Sequence, residues 1–135
     1  MLTIKSIMKT NVITVRPETP IYEALDLLFK NQISGMPVVN GQNEVVGILS
    51  EKDVLRILLD DKLIVKHTVS DYMTRDVVCF TEEDSAVDIC KFFIRSHVRR
   101  VPIVKDGKLV GVVSRRDIVE LILEARTKIS DLRFH

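Results

Sequence analysis

The chain has 135 residues, of which 46% are hydrophobic and 29% are charged. This length allows one compact domain or two small ones, and the apolar share excludes a disordered chain. The 20 basic and 19 acidic residues leave a net charge of +1, which argues against a nucleic-acid binder that works through bulk charge.

Cysteine, histidine and hydropathy patterns exclude several further classes. Cys79 and Cys90 form no CxxC pair and the three histidines are scattered, so neither a disulfide framework nor a metal site is expected. The longest apolar runs fall far below the ~18–20 residues of a membrane span. No charged and apolar leader opens the chain. We therefore expect a cytoplasmic protein with no membrane or nucleic-acid partner.

The first half of the chain predicts a short strand, a helix, a hairpin and a second helix. These elements are a strand at 12–15, a helix beginning near Ile21, strands at 37–39 and 45–49, and a helix over 50–59. Thr19 is the expected N-cap of the first helix, because Pro20 suits a first turn. A lead-in turn at 3–8 precedes this set.

The second half predicts the same series. Its elements are a lead-in at 68–73, a strand at 77–80, a helix from Ala86, strands at 103–104 and 109–113, and a helix from Ser114 to about Glu124. Asp84 or Ser85 is the expected cap of the first of these helices. Asp106 and Gly107 between β-branched runs predict a tight hairpin turn.

Both halves are diverged copies of one unit of about 60 residues. Identical pairs at an offset of 65, or 64 beyond the first hairpin turn, include Met8 and Met73, Pro37 and Pro102, Ser50 and Ser114, and Asp53 and Asp117. Each copy is a β-α-β-β-α unit of an α+β (α/β) fold. Such a unit is too small to bury much surface alone, so the two sheets are expected to pack face to face about a pseudo-twofold axis. The predicted domains are 1–62 and 63–126, with a tail at 127–135.

The pattern Ser-x-x-Asp stands where a strand runs into a helix in each copy. Ser50 with Asp53, and Ser114 with Asp117, match a capping box. The same position also suits a ligand, because a helix N-terminus favours phosphate and an adjacent acid accepts hydrogen bonds from a ribose diol. The two interpretations are compatible.

Arginines flank the second Ser-x-x-Asp pattern. Arg99 and Arg100 stand just before the predicted strand at 103–104, and Arg115 and Arg116 follow Ser114. With the two copies packed as expected, these four arginines could converge around one cleft, and forked guanidinium groups recognise phosphate. The alternative is that they are solvated surface charges. The matching residues of the first copy are Ser34, Gly35, Glu51 and Lys52. The two sites are therefore not expected to be equivalent.

The repeat, the Pro-Val-Val strand and the Gly-h-h-Ser-x-x-Asp junction (h, apolar) resemble a pair of CBS domains, often called a Bateman module. The resemblance covers roughly residues 3–125. It implies two β-α-β-β-α units packed sheet against sheet. It also implies clefts between them for adenosyl ligands such as AMP, ADP, ATP or S-adenosylmethionine, and disk-like homodimers.

The resemblance also implies roles for individual residues. Asp53 and Asp117 would hold ribose hydroxyls, with Ser50 and Ser114 beside the ribose or phosphate. The adenine would be bordered by Ile13, Thr14, Val78 and Cys79, an apolar wall would be formed by Met36, Pro37, Val101 and Pro102, and phosphate would be reached by Arg99, Arg100 and Arg116. Cys79 replaces the threonine of the first copy, and Gly35 stands where the second has Arg100. The second cleft is therefore the expected nucleotide site.

The sequence favours a sensor over an enzyme. An enzyme needs a nucleophile, an acid–base pair or a metal in a pocket, and the pattern offers none. Cys90 aligns with the core-like Leu25, and both thiols are predicted to be structural. The expected function is an energy-sensing regulatory module that binds AMP, ADP or ATP, has no catalytic cofactor and signals to an unidentified effector protein. A ligand-free dimerisation scaffold and an S-adenosylmethionine binder remain alternatives.

Overall fold

A computed structural model describes residues 3–59 and 67–133, with the backbone alone from 128 onward. The helices are α1 Ile4–Ile7, α2 Ile21–Lys30, α3 Glu51–Val54, α4 Ala86–Arg95 and α5 Arg115–Arg133; the strands are β1 Gly35–Val39, β2 Val45–Ser50, β3 Arg100–Lys105 and β4 Lys108–Ser114; 3₁₀ turns lie at Leu55–Leu58 and Val69–Asp71. None of the described helices has the length and apolarity needed to cross a membrane.

Two small antiparallel hairpins, β1–β2 and β3–β4, carry the two halves. In the first hairpin, Gly35 lies opposite Ser50 and Met36 opposite Leu49. The second turn has positive φ at Asp106 (52°) and Gly107 (80°), the conformation that suits a two-residue turn between twisted strands. The mixed fold with one hairpin per repeat is confirmed.

Strands were predicted at 12–15 and 77–80, but only one residue of each segment pairs with another strand, so these two predictions are wrong. Val15 forms a one-residue parallel bridge with Val38, and Phe80 forms one with Ile103. Pairing then stops because a side chain captures the next amide. The Arg16 N–H donates to Thr19 Oγ1 at 3.0 Å, and the Thr81 N–H donates to Asp84 Oδ2 at 2.7 Å.

The hydrogen bond from the Arg16 N–H to Thr19 Oγ1 also corrects the predicted N-cap of α2. Thr19 is engaged in the turn before α2, whose N-cap is Pro20 without a side-chain hydrogen bond. In the second half the equivalent Asp84 is used in the same way, and Ser85 caps α4 by accepting from the Val87 N–H at 3.1 Å. The Ser85 prediction is confirmed.

The two closing helices differ from each other and from their predicted lengths. The predicted helix over 50–59 is α-helical only at Glu51–Val54 and then tightens to a 3₁₀ turn, where Arg56 Nε donates to the Asp53 carbonyl at 3.3 Å. Its counterpart α5 continues past Glu124 to Arg133, since no glycine or proline interrupts that stretch. The predicted tail thus contributes helix up to Arg133.

Two compact units are present, and each combines parts of both repeats. The first unit holds Val12–Val78 with Asp106–Leu109, and the second holds the chain up to Asn11 with 79–105 and the chain from Val110 onward. Each repeat's lead-in therefore packs in the unit that contains the other repeat's helices. The predicted boundaries at 62 and 126 follow the repeats and stay a prediction.

Each unit has its own apolar core. The core of the first unit is formed by Val15, Ile21, Ala24, Leu28, Met36, Val38, Leu49, Ile57, Val69, Tyr72 and Met73. The core of the second unit is formed by Ile4, Ile7, Ile89, Phe93, Val101, Ile103, Val113, Ile118 and Leu121. Val69 is fully buried and Ile4 is 1% exposed, so burial of apolar side chains holds both lead-ins in place.

Candidate functional site

The two Ser-x-x-Asp patterns form capping boxes at the start of α3 and α5. At the first junction, defined as Ser50–Asp53, the Ser50 N–H donates to Asp53 Oδ2 at 2.9 Å and the Asp53 N–H donates to Ser50 Oγ at 3.3 Å. At the second junction, Ser114–Asp117, the corresponding distances are 2.8 and 3.2 Å. The capping interpretation is confirmed, and it engages one carboxylate oxygen of each aspartate.

The other carboxylate oxygen of each aspartate contacts the residue that follows a lead-in. Thr74 Oγ1 donates to Asp53 Oδ1 at 3.0 Å. Lys9 Nζ lies 3.6 Å from Asp117 Oδ1. Lys9 and Thr74 were not among the predicted site residues. The signal was present, because both directly follow the matched residues Met8 and Met73.

Backbone pairing fixes these two residues beside their junctions. The Lys9 N–H donates to the Val112 carbonyl and the Val112 N–H to the Lys9 carbonyl, both at 2.9 Å. Thr74 and Ile48 exchange the same two bonds, also at 2.9 Å. The residue after each lead-in therefore forms a one-residue antiparallel bridge with β4 or β2, and this pairing directs its side chain.

Burial and charge distinguish the second junction. Asp117 is 5% exposed, whereas Asp53 is half-buried. A buried carboxylate must be hydrogen-bonded or paired, and Asp117 has the Ser114 amide on one oxygen and the Lys9 ammonium near the other. Lys9 Nζ also lies 3.9 Å from Glu120 Oε2. The second junction thus joins a buried acid to a cation that is largely in solvent.

The chain entering each hairpin lies against the start of the following helix. The Ser34 carbonyl accepts from the Glu51 N–H, and the Arg99 carbonyl accepts from the Arg115 N–H, both at 2.9 Å. The Pro37 carbonyl accepts from Val15 at 3.2 Å. Of the predicted site residues, the first unit holds Ile13, Thr14, Met36, Pro37, Ser50 and Asp53, and the second holds Cys79, Arg99, Arg100, Val101, Pro102, Ser114, Arg116 and Asp117.

Exposure differs within these groups. Met36 and Val101 are 1% exposed and belong to the two cores. Thr14 and Cys79 are half-buried, and Val78, which lies in the first unit, is 46% exposed. Burial raises the pKa of the Cys79 thiol, which lowers the thiolate fraction and hence the reactivity of this side chain. Within 3–59 and 67–127, where side chains are described, no three His, Cys, Asp or Glu side chains cluster as metal ligands would.

Arg115 does not join the expected arginine cluster. Its guanidinium donates to the carbonyls of Phe93 and Val98 at 3.0 Å and of Ser96 at 2.8 Å. It also lies 5.9 Å from the centre of the Phe93 ring. The four arginines therefore do not all converge around one cleft, because the Arg115 side chain caps the C-terminal end of α4. Arg99 and Arg116 are exposed and Arg100 is half-buried.

Replacing Arg115 by Ala is expected to lower the free energy of unfolding by about 1–2 kcal/mol, because three carbonyls at the end of α4 lose a charged donor. The neighbouring exposed Arg116→Ala is the matched control and is expected to change it by less than ~0.5 kcal/mol. Urea denaturation followed by circular dichroism measures both. Equal midpoints for the two variants would contradict the capping role.

Proteins of similar sequence include an uncharacterised archaeal protein and an archaeal metabolic enzyme. The chain is 34% identical over 119 residues to the uncharacterised protein MJ1225 of Methanocaldococcus jannaschii, covering 88% of this chain and 42% of that protein. It is 37% identical over 111 residues to the inosine-5'-monophosphate dehydrogenase of the same organism, covering 82% of this chain and 21% of the enzyme. The chain thus spans less than half the length of each of these two relatives.

Two solved structures are similar along nearly their whole length. CBSX2 of Arabidopsis thaliana in complex with AMP has a TM-score of 0.83 and 27% identity, over 93% of this chain and 99% of that one. The CBS domain pair of protein MJ0100 in complex with 5'-methylthioadenosine and S-adenosyl-L-methionine has a TM-score of 0.80 and 27% identity, over 93% and 98%.

The resemblance noted in the sequence is confirmed by a family model. The model of the CBS domain matches residues 4–60 and 69–124, one match for each repeat. The two matches contain the two junctions, one in each. The chain therefore belongs to the CBS-domain family, as a tandem pair of its domains.

Proposed function

We propose that this chain is a regulatory module that binds an adenine nucleotide, AMP, ADP or ATP, at the second junction. The observation that carries the proposal is the burial of Asp117 together with the contacts of its two carboxylate oxygens. This buried carboxylate uses one oxygen to cap α5 and presents the other to the exposed Lys9 ammonium. The complexes of similar CBS pairs with AMP, and with 5'-methylthioadenosine and S-adenosyl-L-methionine, support an adenosyl ligand.

The chemistry of the second junction suits each part of a nucleotide. Asp117 Oδ1 accepts hydrogen bonds from the ribose diol, and the first amides of α5 favour the negative charge of phosphate. Arg99 and Arg116 are exposed near the same helix start and supply further charge for phosphate. The half-buried Cys79, preceding the Phe80 bridge, borders the adenine.

The first junction is a weaker phosphate site in this proposal. Asp53 there faces the neutral Thr74 hydroxyl, and the first helical residue is the exposed Glu51. Carboxylate charge beside a helix N-terminus opposes phosphate. The cationic sulfonium of S-adenosylmethionine fits this junction better than the second one, where Lys9 and the arginines would repel it.

A route for regulation follows from the packing of each lead-in in the unit that contains the other repeat's helices. Ligand at the second junction contacts Asp117 and therefore acts on the end of the lead-in that pairs with β4. Such a ligand shifts the population toward the state in which this segment is docked, by as much as its affinity differs between docked and released states. In this proposal an effector protein in the cytoplasm reads that state. The proposal includes no catalytic step.

A dimerisation scaffold is the second candidate, and one observation favours it. Helix α5 buries Ile118 and Leu121, yet Val119, Ile122 and Leu123, which continue around the helix from the buried stripe, are 55–61% exposed. An apolar stripe of this kind on a helix is typical of a protein–protein contact. We propose that it serves a homodimer, with or without ligand binding.

Thermal-shift titration separates the two candidates. AMP, ADP, ATP and S-adenosylmethionine are added to the purified chain, with inorganic phosphate as the control. Ligand at a hundred times its dissociation constant stabilises the folded state by ~2.7 kcal/mol, which raises Tm by several degrees. We expect a shift with an adenine nucleotide and none with phosphate. Different shifts with AMP and ATP would make the module an energy sensor, whereas no shift with any ligand would favour the scaffold.

A further inference from the structure

We infer that Lys9 makes the second junction selective for phosphorylated adenosine ligands over unphosphorylated ones. This inference rests on the proposed function, and it assigns a specificity-determining role to a residue outside the two CBS-type junctions. Lys9 comes from the first repeat, whereas Asp117 belongs to the second. The selectivity of one repeat is thus set by the lead-in of the other.

The position of Lys9 combines a hydrogen-bonded backbone with a largely exposed side chain. Two backbone hydrogen bonds of 2.9 Å tie Lys9 to Val112 in β4. Its side chain is 65% exposed, and Nζ lies between Asp117 Oδ1 at 3.6 Å and Glu120 Oε2 at 3.9 Å. The ammonium therefore stays close to the junction and is held there by ion pairs that are long and open to water.

A ribose diol and Lys9 compete for the same oxygen. Asp117 Oδ2 already accepts from the Ser114 amide, so Oδ1, which Lys9 faces, is the oxygen better placed to accept from a ribose hydroxyl. An unphosphorylated nucleoside would displace the ammonium and offer it no anion in exchange. A nucleotide offers its phosphate, a strong partner for an ammonium group. Lys9 thus favours nucleotides and opposes nucleosides.

The first junction provides the contrasting case. Thr74 occupies the same place, has the same pair of backbone bonds to β2, and gives Asp53 Oδ1 a neutral hydroxyl donor at 3.0 Å. A threonine is therefore compatible with this backbone position. The substitution Lys9→Thr removes the charge and keeps the local structure that the chain already uses once.

The test compares AMP and adenosine binding by isothermal titration calorimetry. All proteins carry Asp53→Asn, so that the first junction does not contribute. In Lys9→Thr we expect the affinity for AMP to fall about tenfold, while that for adenosine is unchanged or rises. The matched control is Lys5→Thr, which removes an exposed lysine of the same lead-in and is expected to leave the ratio of the two affinities unchanged.

The outcomes separate this inference from the proposal on which it rests. An unchanged ratio of AMP to adenosine affinity in Lys9→Thr would overturn the inference alone. Equal losses for both ligands would also overturn it, because they would indicate a merely structural role. Absence of binding to the Asp53→Asn parent by either ligand would overturn the proposed function and the inference together.

Discussion

Replacing Asp117 by Asn is expected to abolish AMP binding, lowering the affinity by about a hundredfold or more, because a site built to accept hydrogen bonds becomes a donor. The amide oxygen can still accept from the Ser114 N–H, 2.8 Å away in the unchanged protein. Its NH₂ group then replaces Oδ1 and faces both the ribose hydroxyls and Lys9 Nζ. The variant therefore keeps the N-cap of α5 and loses the acceptor for the ribose hydroxyls.

Two measurements separate these roles of Asp117. Calorimetry reports AMP affinity, and urea denaturation without ligand reports stability, which is expected to fall by no more than ~1 kcal/mol. Asp53→Asn is the matched control, because it makes the same change in the other capping box and should leave AMP binding at the second junction intact. Retained AMP affinity in Asp117→Asn would show that this carboxylate does not hold the ribose.

Features determined by neighbouring residues were predictable from the sequence. The capping boxes at Ser50 and Ser114 join residues three positions apart, and the Asp106-Gly107 turn depends on local backbone preference. The candidate site residues at these junctions were predicted from the same local patterns. Local competition also explains one failure, since Thr19 serves the turn that precedes α2 instead of the helix itself.

Contacts between distant segments were not predictable in this way. The alignment of the repeats matches Lys9 with Thr74, but it does not reveal that Lys9 lies beside Asp117 and Thr74 beside Asp53. An amphipathic lead-in can bury its apolar residues against either repeat. The choice depends on packing that no periodicity encodes, and so the residue that distinguishes the two junctions was missed.

The positive charge of an arginine likewise does not determine which groups its side chain contacts. Arg115 and Arg116 are adjacent in sequence, yet Arg115 reaches three carbonyls around the end of α4. The spacing of Phe93, Ser96 and Val98 is ordinary for a helix end and its following turn. Only the approach of α5 to that turn makes Arg115 a structural residue.

One glycine in β2 and one in β4 leave room for the lead-in that ends beside each of these strands. A Cβ on Gly47 would lie 2.9 Å from the Thr74 carbonyl oxygen and 3.0 Å from Met73 Sδ. A Cβ on Gly111 would lie 2.8 Å from Met8 Sδ and 3.0 Å from the Lys9 carbonyl oxygen. A methionine side chain can move aside, but each carbonyl is held by a backbone hydrogen bond of 2.9 Å. Both positions therefore require the smallest residue.

Gly47→Ala is accordingly expected to lower the free energy of unfolding by about 2–3 kcal/mol, the scale of an overpacked core, because the backbone at Thr74 has to retreat from β2. Gly41→Ala is the matched control, since its Cβ would meet only Arg16 Nη1 at 3.6 Å, and it should change stability by less than ~0.5 kcal/mol. Urea midpoints measure both. Equal midpoints would mean that the second lead-in does not press on β2 in solution, and the contact between Thr74 and Asp53 would then lose its structural basis.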